Sequence, residues 1–83
     1  MDIAVDISLY PLAEAFRPMI HDFIGRLAAH EDLKVVPGSL STQVFGEYER
    51  VFEALRAELR VTLEARQAGS GQAVFVIKLL GPI

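Results

Sequence analysis

Ile3, Val5, Ile7 and Leu9 alternate with Ala4, Asp6, Ser8 and Tyr10 at the start of the chain. A period of two is that of a strand with one face buried. Pro11 is expected to close the strand, because proline has no N–H for a sheet ladder. The period then changes. Phe16, Ile20, Phe23, Ile24, Leu27 and Ala28 recur every three or four residues and draw one apolar stripe on a helix. Pro18 suits a first helical turn, which predicts a helix from about Arg17 to His30. Leu33 to Val36 is short and β-branched, and Pro37-Gly38 reads as a turn. Leu40, Thr42 and Val44 then alternate with Ser41, Gln43 and Phe45, giving the return strand of a hairpin that ends at Gly46.

From Glu47 the helical period returns. Val51, Phe52, Leu55, Leu59 and Leu63 form its stripe, with charged residues over most of the remainder. Ala68-Gly69-Ser70-Gly71 is a connector. Gln72 to Leu80 is a strand with Ala73, Phe75, Ile77 and Leu79 on one face and Val74, Val76 and Leu80 on the other, broken by Lys78. A strand apolar on both faces must be covered on both. The resulting order, β-α-β-β-α-β, predicts an α+β, ferredoxin-like fold: a four-stranded antiparallel sheet with two helices on one face. The other face would be bare in a monomer, and a second copy of the chain is its simplest cover.

Composition sharpens this picture. The chain has 83 residues, room for one domain over 1–83, and is 52% hydrophobic. A mean hydropathy of +0.34 is more apolar content than one small core can hide, consistent with self-association. The formal charge of −3 argues against nucleic acid as a partner. There are no cysteines, which excludes disulfides, thiolate metal sites and the CxxC of a metal carrier. No apolar run is long enough to span a bilayer. The acidic Met1 to Asp6 stretch is unlike a secretory signal, so the expected location is the cytoplasm and no membrane partner is expected.

Catalytic constellations are hard to assemble. No glycine-rich phosphate loop is present, and Arg17 near the first turn lacks the glycines of an acylphosphatase-type anion loop. His21 and His30 lie on or at the end of one helix and are expected to face solvent. Tyr10 and Phe45 lack the motif of an RNA-binding sheet. Asp6 and Lys78 are expected to pair across neighbouring strands. With no nucleophile–base pair and no cofactor implied, a binding protein is favoured over an enzyme. The topology does bring hydroxyls together: Ser8 and Tyr10 on the first strand, and Ser39, Ser41 and Thr42 at the start of the third. Such a set suits a neutral heteroaromatic in an otherwise apolar pocket, although it also fits an ordinary edge strand near a turn.

The phrases Ser8-Leu9-Tyr10-Pro11 and Ser41-Thr42, the latter four residues before Gly46, resemble the YkoF-like thiamine/hydroxymethylpyrimidine-binding family. Glu47 to Phe52 is similar to the start of that family's second helix. The resemblance covers essentially the whole chain, with a single copy of a domain that some relatives carry twice. It implies sheet-to-sheet pairing into a homodimer or homotetramer. It also implies binding of thiamine or its hydroxymethylpyrimidine half, as carrier or sensor. The expected site is Ser8, Leu9, Tyr10, Ser41, Thr42 and Glu47. The Leu9 backbone and Thr42 would meet the aminopyrimidine, Tyr10 would flank the ring, and Asp6 or Glu47 would answer the thiazolium charge. The alternative is a regulatory domain that binds another small ligand, such as an amino acid, at a subunit interface.

Overall fold

A computed structural model describes Met1–Ile83, and it has the ferredoxin-like architecture. The order is β1 (Asp2–Pro11), α1 (Phe16–Ala28), β2 (Lys34–Pro37), β3 (Thr42–Glu47), α2 (Tyr48–Ala68) and β4 (Ala73–Leu80). All strand pairs are antiparallel, in the spatial order β2-β3-β1-β4. β1 is central, and its alternation is the backbone of the core. Ile3, Val5, Ile7 and Leu9 are buried against the helices with Phe23 and Leu27 of α1, Val44 of β3, and Val51 and Leu55 of α2. Gly46 permits the close approach at the end of β3, where an added Cβ would lie 2.6 Å from a Leu33 methyl.

Several boundaries differ from the periodicity, each for a local reason. α1 starts at Phe16 and stops at Ala28, so His30 lies beyond it. β3 starts at Thr42 rather than Leu40, because residues 38–41 form a four-residue hairpin loop closed by the Gly38 N–H to the Ser41 carbonyl at 2.9 Å. Leu40 points into solvent, 91% exposed. Pro11 does not end β1. It stays in the strand opposite Ala73.

The stripe on α2 is also rotated from the expected one. Val51, Ala54, Leu55 and Thr62 face inward, while Phe52 and Leu63 are exposed. Tyr48 and Phe52 instead pack on each other at 4.8 Å between ring centroids. Thr62 is buried at an apolar-looking position because Arg26 of α1 reaches across and donates to its hydroxyl at 2.7 Å.

Only 13 of the 83 residues are buried, so the apolar surplus remains on the surface. Much of it lies on the sheet face away from the helices. Tyr10, Val74, Val76 and Leu80 occupy that face of β1 and β4, and all are about half exposed or more. Phe75 turns the other way and packs on Phe23, with ring centroids 5.2 Å apart. No helix is long and apolar enough to cross a membrane.

Candidate functional site

β1 has ten residues and β3 has six, and this mismatch creates the site. The β1–β3 register runs from Asp2 opposite Glu47 to Ile7 opposite Thr42, then stops. β1 continues beside β4 as far as Pro11. In an antiparallel strand, the backbone groups of successive residues point to alternate neighbours. The Met1 carbonyl accepts from Tyr48 N–H on the β3 side, and the Leu12 N–H donates to the Gln72 carbonyl on the β4 side. Both registers run without a bulge, so odd-numbered residues of β1 address β3 and even-numbered ones address β4.

Leu9 is therefore aimed at a stretch where β3 is missing. Its N–H and C=O have no partner in the protein. The same parity explains Pro11, whose absent N–H would point to that vacant side. The Pro11 carbonyl is taken by the Ala13 N–H at 2.9 Å.

The vacant edge opens into a cleft of about 480 Å³ between the end of the sheet, α1 and the β2–β3 loop. Ile20, Phe23 and Ile24 of α1 line one side, and Gly38 to Thr42 line the other. No charged side chain lines it. Thr42 is the buried polar group of the wall, 4% exposed. Its hydroxyl bonds to no protein group, whereas the neighbouring hydroxyls are committed: Ser8 Oγ donates to the Leu40 carbonyl at 3.3 Å, and Ser41 Oγ donates to the Asp6 carboxylate. No fully buried side-chain oxygen or nitrogen of the chain lacks a partner, so the Thr42 hydroxyl is not sealed in the core but reaches the cleft, where water or a ligand can bond to it. The cleft thus offers one donor and one acceptor from Leu9 and a hydroxyl from Thr42, in apolar walls. That set fits a planar heterocycle with its own donors and acceptors along one edge.

Five of the six expected site residues, Ser8, Leu9, Tyr10, Ser41 and Thr42, line this cleft. Glu47 does not. It sits at the opposite end of β3, where its carboxylate caps α2 by accepting from the Glu49 and Arg50 N–H groups at 3.0 and 3.3 Å. Asp6 faces Lys78 in the β1–β4 register but makes no ion pair with it, because Ser41 holds its carboxylate. Sequence periodicity had no means of showing that Phe16, Ile20, Phe23 and Ile24 line the cleft as well. They read as a helix stripe, which they also are.

His30 is not free in solvent. Its Nε2 lies 2.7 Å from Glu58 Oε2, and Arg26 donates to Glu58 Oε1 at 2.9 Å. Burial acts to raise the Glu58 carboxyl, but the hydrogen bonds and positive charge of His30 and Arg26 outweigh it and hold the group below the ordinary carboxylate range. This cluster ties α1 to α2 away from the cleft.

No family model and no curated protein matches the sequence. Solved structures do. A hypothetical protein from Methanocaldococcus jannaschii superposes with a TM-score of 0.80 at 15% identity, over 99% of this chain and 81% of that one. A Thermotoga maritima protein described as a candidate thiamine biosynthesis/salvage protein gives 0.78 at 20% identity, over 95% and 82%. A DUF77 domain of unknown function from Bacillus cereus gives 0.65 at 13% identity, over 99% and 77%. These likenesses establish the fold. They include a neighbour whose description concerns thiamine.

Proposed function

We propose that this chain binds thiamine or its hydroxymethylpyrimidine half without acting on it, as a carrier or sensor that works as a homo-oligomer. The observation that carries this reading is the free N–H and C=O of Leu9 beside the unpartnered Thr42 hydroxyl, at the floor of an uncharged cleft. An aminopyrimidine has an exocyclic amine to donate and ring nitrogens to accept, so it matches the Leu9 pair in the way a third strand residue would. The Thr42 hydroxyl can serve a further nitrogen or the hydroxymethyl group. The thiamine-related description of the Thermotoga maritima neighbour points the same way. A cleft without a charged or imidazole side chain favours binding over acid–base chemistry.

Titration calorimetry with hydroxymethylpyrimidine and thiamine tests the reading. Both compounds should give heat at millimolar concentration or below. Thr42→Val, which keeps the side-chain shape and removes the hydroxyl, should weaken binding by roughly 1 kcal/mol, about fivefold, with no loss of melting temperature. No heat and no thermal shift with either compound would overturn the proposal.

Self-association through the open sheet face is the second part. Val74 and Val76 share a face of β4 with Lys78, beside Tyr10 of β1, and nothing in the chain covers them. Light scattering at micromolar concentration should give a mass two or four times 9.2 kDa. Val76→Asp should return the mass to that of one chain. A wild-type monomer under these conditions excludes the sheet-face assembly.

A further inference from the structure

The two edges of the sheet are built differently. β2, at one edge, has four residues, begins at Lys34 and ends at Pro37. Shortness, lysine and proline are common guards against pairing with another chain. β4, at the other edge, has only Lys78 in that role. It runs for eight residues without a proline and keeps an unbroken register with β1. The bond from the Leu12 N–H to the Gln72 carbonyl fixes its parity. Even-numbered residues of β4 bond to β1, and odd-numbered ones turn their N–H and C=O outward. Ala73, Phe75, Ile77 and Leu79 therefore present a row of backbone groups that no part of the chain meets.

Side chains along this edge are uncovered on both faces of the sheet. Val74 and Val76 are about half exposed on the open face. On the helix face Phe75 packs on Phe23, but Ile77 and Leu79 remain 44% and 48% exposed. The helix layer thus stops short of covering the second half of β4.

The β4 of a second copy, antiparallel about a two-fold axis, answers all of these features. With Val76 opposite its own copy, Phe75 falls opposite Ile77 and Ala73 opposite Leu79 of the other strand. Each outward N–H then meets an outward C=O, and none in either row is left over. A shift of two residues either way would leave Ala73 or Leu79 beyond the end of the other strand. Lys78 falls opposite Val74, so the two lysines do not confront each other across the seam. Ile77 and Leu79 gain apolar neighbours on the helix face. This match of length and charge between β4 and itself selects a second copy over a strand of another protein.

We propose that two copies of the chain join along β4 into one sheet twice as wide, with the helices of both on the same side. The contact is separate from the sheet-face contact above and rests neither on it nor on ligand binding. Together the two contacts make a tetramer.

Ile77→Pro tests the edge. The Ile77 N–H makes no bond within the chain, so proline removes nothing from the β1–β4 ladder and blocks the seam. Light scattering of the wild type at micromolar concentration should give four times 9.2 kDa where both contacts form, and Ile77→Pro should halve it. An unchanged mass in folded Ile77→Pro would overturn the edge contact and leave the sheet-face contact standing. A wild-type dimer that Ile77→Pro converts to a monomer would support the edge and count against the face. Val76→Asp sets two carboxylates against each other at the axis, so it breaks the edge as well as the face. Amide hydrogen exchange on the wild type needs no variant and decides the matter if Ile77→Pro does not fold. The amides of Phe75, Ile77 and Leu79 should exchange as slowly as those of Val74, Val76 and Lys78, because a sheet-face contact alone leaves the edge open to water. Fast exchange at the odd-numbered residues beside slow exchange at the even-numbered ones would overturn the proposal and leave the edge to a strand of another protein.

Discussion

Phe23→Ala should cost about 3–5 kcal/mol of unfolding free energy, the largest loss expected from any single substitution in the chain. Phe23 is 2% exposed and belongs to a core cluster of nine residues. Its ring packs on Phe75, the β4 residue opposite Leu9, and carries the Arg26 guanidinium 5.8 Å above its centroid. Truncation would therefore loosen α1 from the sheet in three places. A small domain has a total stability of only about 5–15 kcal/mol, so this variant stands near the edge of folding. Phe23 also lines the cleft, so the space left behind would open to water rather than form a sealed void. That favours the lower part of the range. Phe23→Leu, which keeps most of the apolar volume, should cost about 1 kcal/mol and remain folded. Urea denaturation of both variants measures the pair. A loss below 1 kcal/mol for Phe23→Ala would show that the nine-residue cluster is not where the stability of the fold resides.

Glu58→Gln is expected to cost about 2 kcal/mol at neutral pH, and the cost should depend on pH. Glu58 is the acceptor that joins His30 and Arg26, and its side chain is 14% exposed. Arg26 also donates to the Glu58 backbone carbonyl, to Thr62 and to Asp22, so one guanidinium spans both helices. Removing the carboxylate leaves a half-buried cation with less compensation. The Glu58 carboxyl lies below its ordinary value of 4.5 in the folded chain. The unfolded chain therefore holds the proton more tightly, and stability from this group is fully present above about pH 4.5. It falls away as the pH drops through the lower, folded value. The difference between wild type and Glu58→Gln should accordingly shrink toward pH 3, because a protonated glutamic acid and glutamine then resemble each other. Denaturation curves at about pH 7 and pH 3.5 check this. An equal difference at both pH values would assign the cost to packing rather than charge.

The architecture was legible because it rests on one-dimensional patterns. The alternation of Ile3 to Tyr10, the stripe of Ile20 to Leu27 and the doubly apolar Ala73 to Leu80 each report local geometry. The α2 stripe was misread where apolar type and burial diverge. Phe52 and Leu63 look like core residues and are exposed, while Thr62 looks like surface and is buried, because Arg26 of another helix satisfies it. His30 was misread for the same reason: its partner Glu58 is 28 residues away.

At the site, the hydroxyls near Ser8 and Thr42 could be brought together from topology alone. Glu47 could not be excluded that way, since a cap and a ligand-binding carboxylate look identical in sequence. The free backbone of Leu9 was invisible as a derivation from spacing. It depends on where β3 begins, and a two-residue difference between Leu40 and Thr42 decides whether the group is paired or open.

That two-residue difference makes the cleft and the fold separately heritable. Three of the four core residues of β1, Ile3, Val5 and Ile7, lie on the part that β3 does reach, with Leu9 beyond it. Insertions, deletions or turn-favouring substitutions in residues 38–41 would lengthen or shorten β3 without touching those positions. If the pairing were extended to Leu40, the strand itself would fill the vacancy at Leu9 and the cleft would close, while the sheet gained two hydrogen bonds. A lineage can therefore lose such a site by becoming more regular, through the kind of change that selection for stability alone would accept. Proteins that share this architecture at 13–20% identity are thus best compared by the length of β3 and the loop before it, rather than by the residues of their cores.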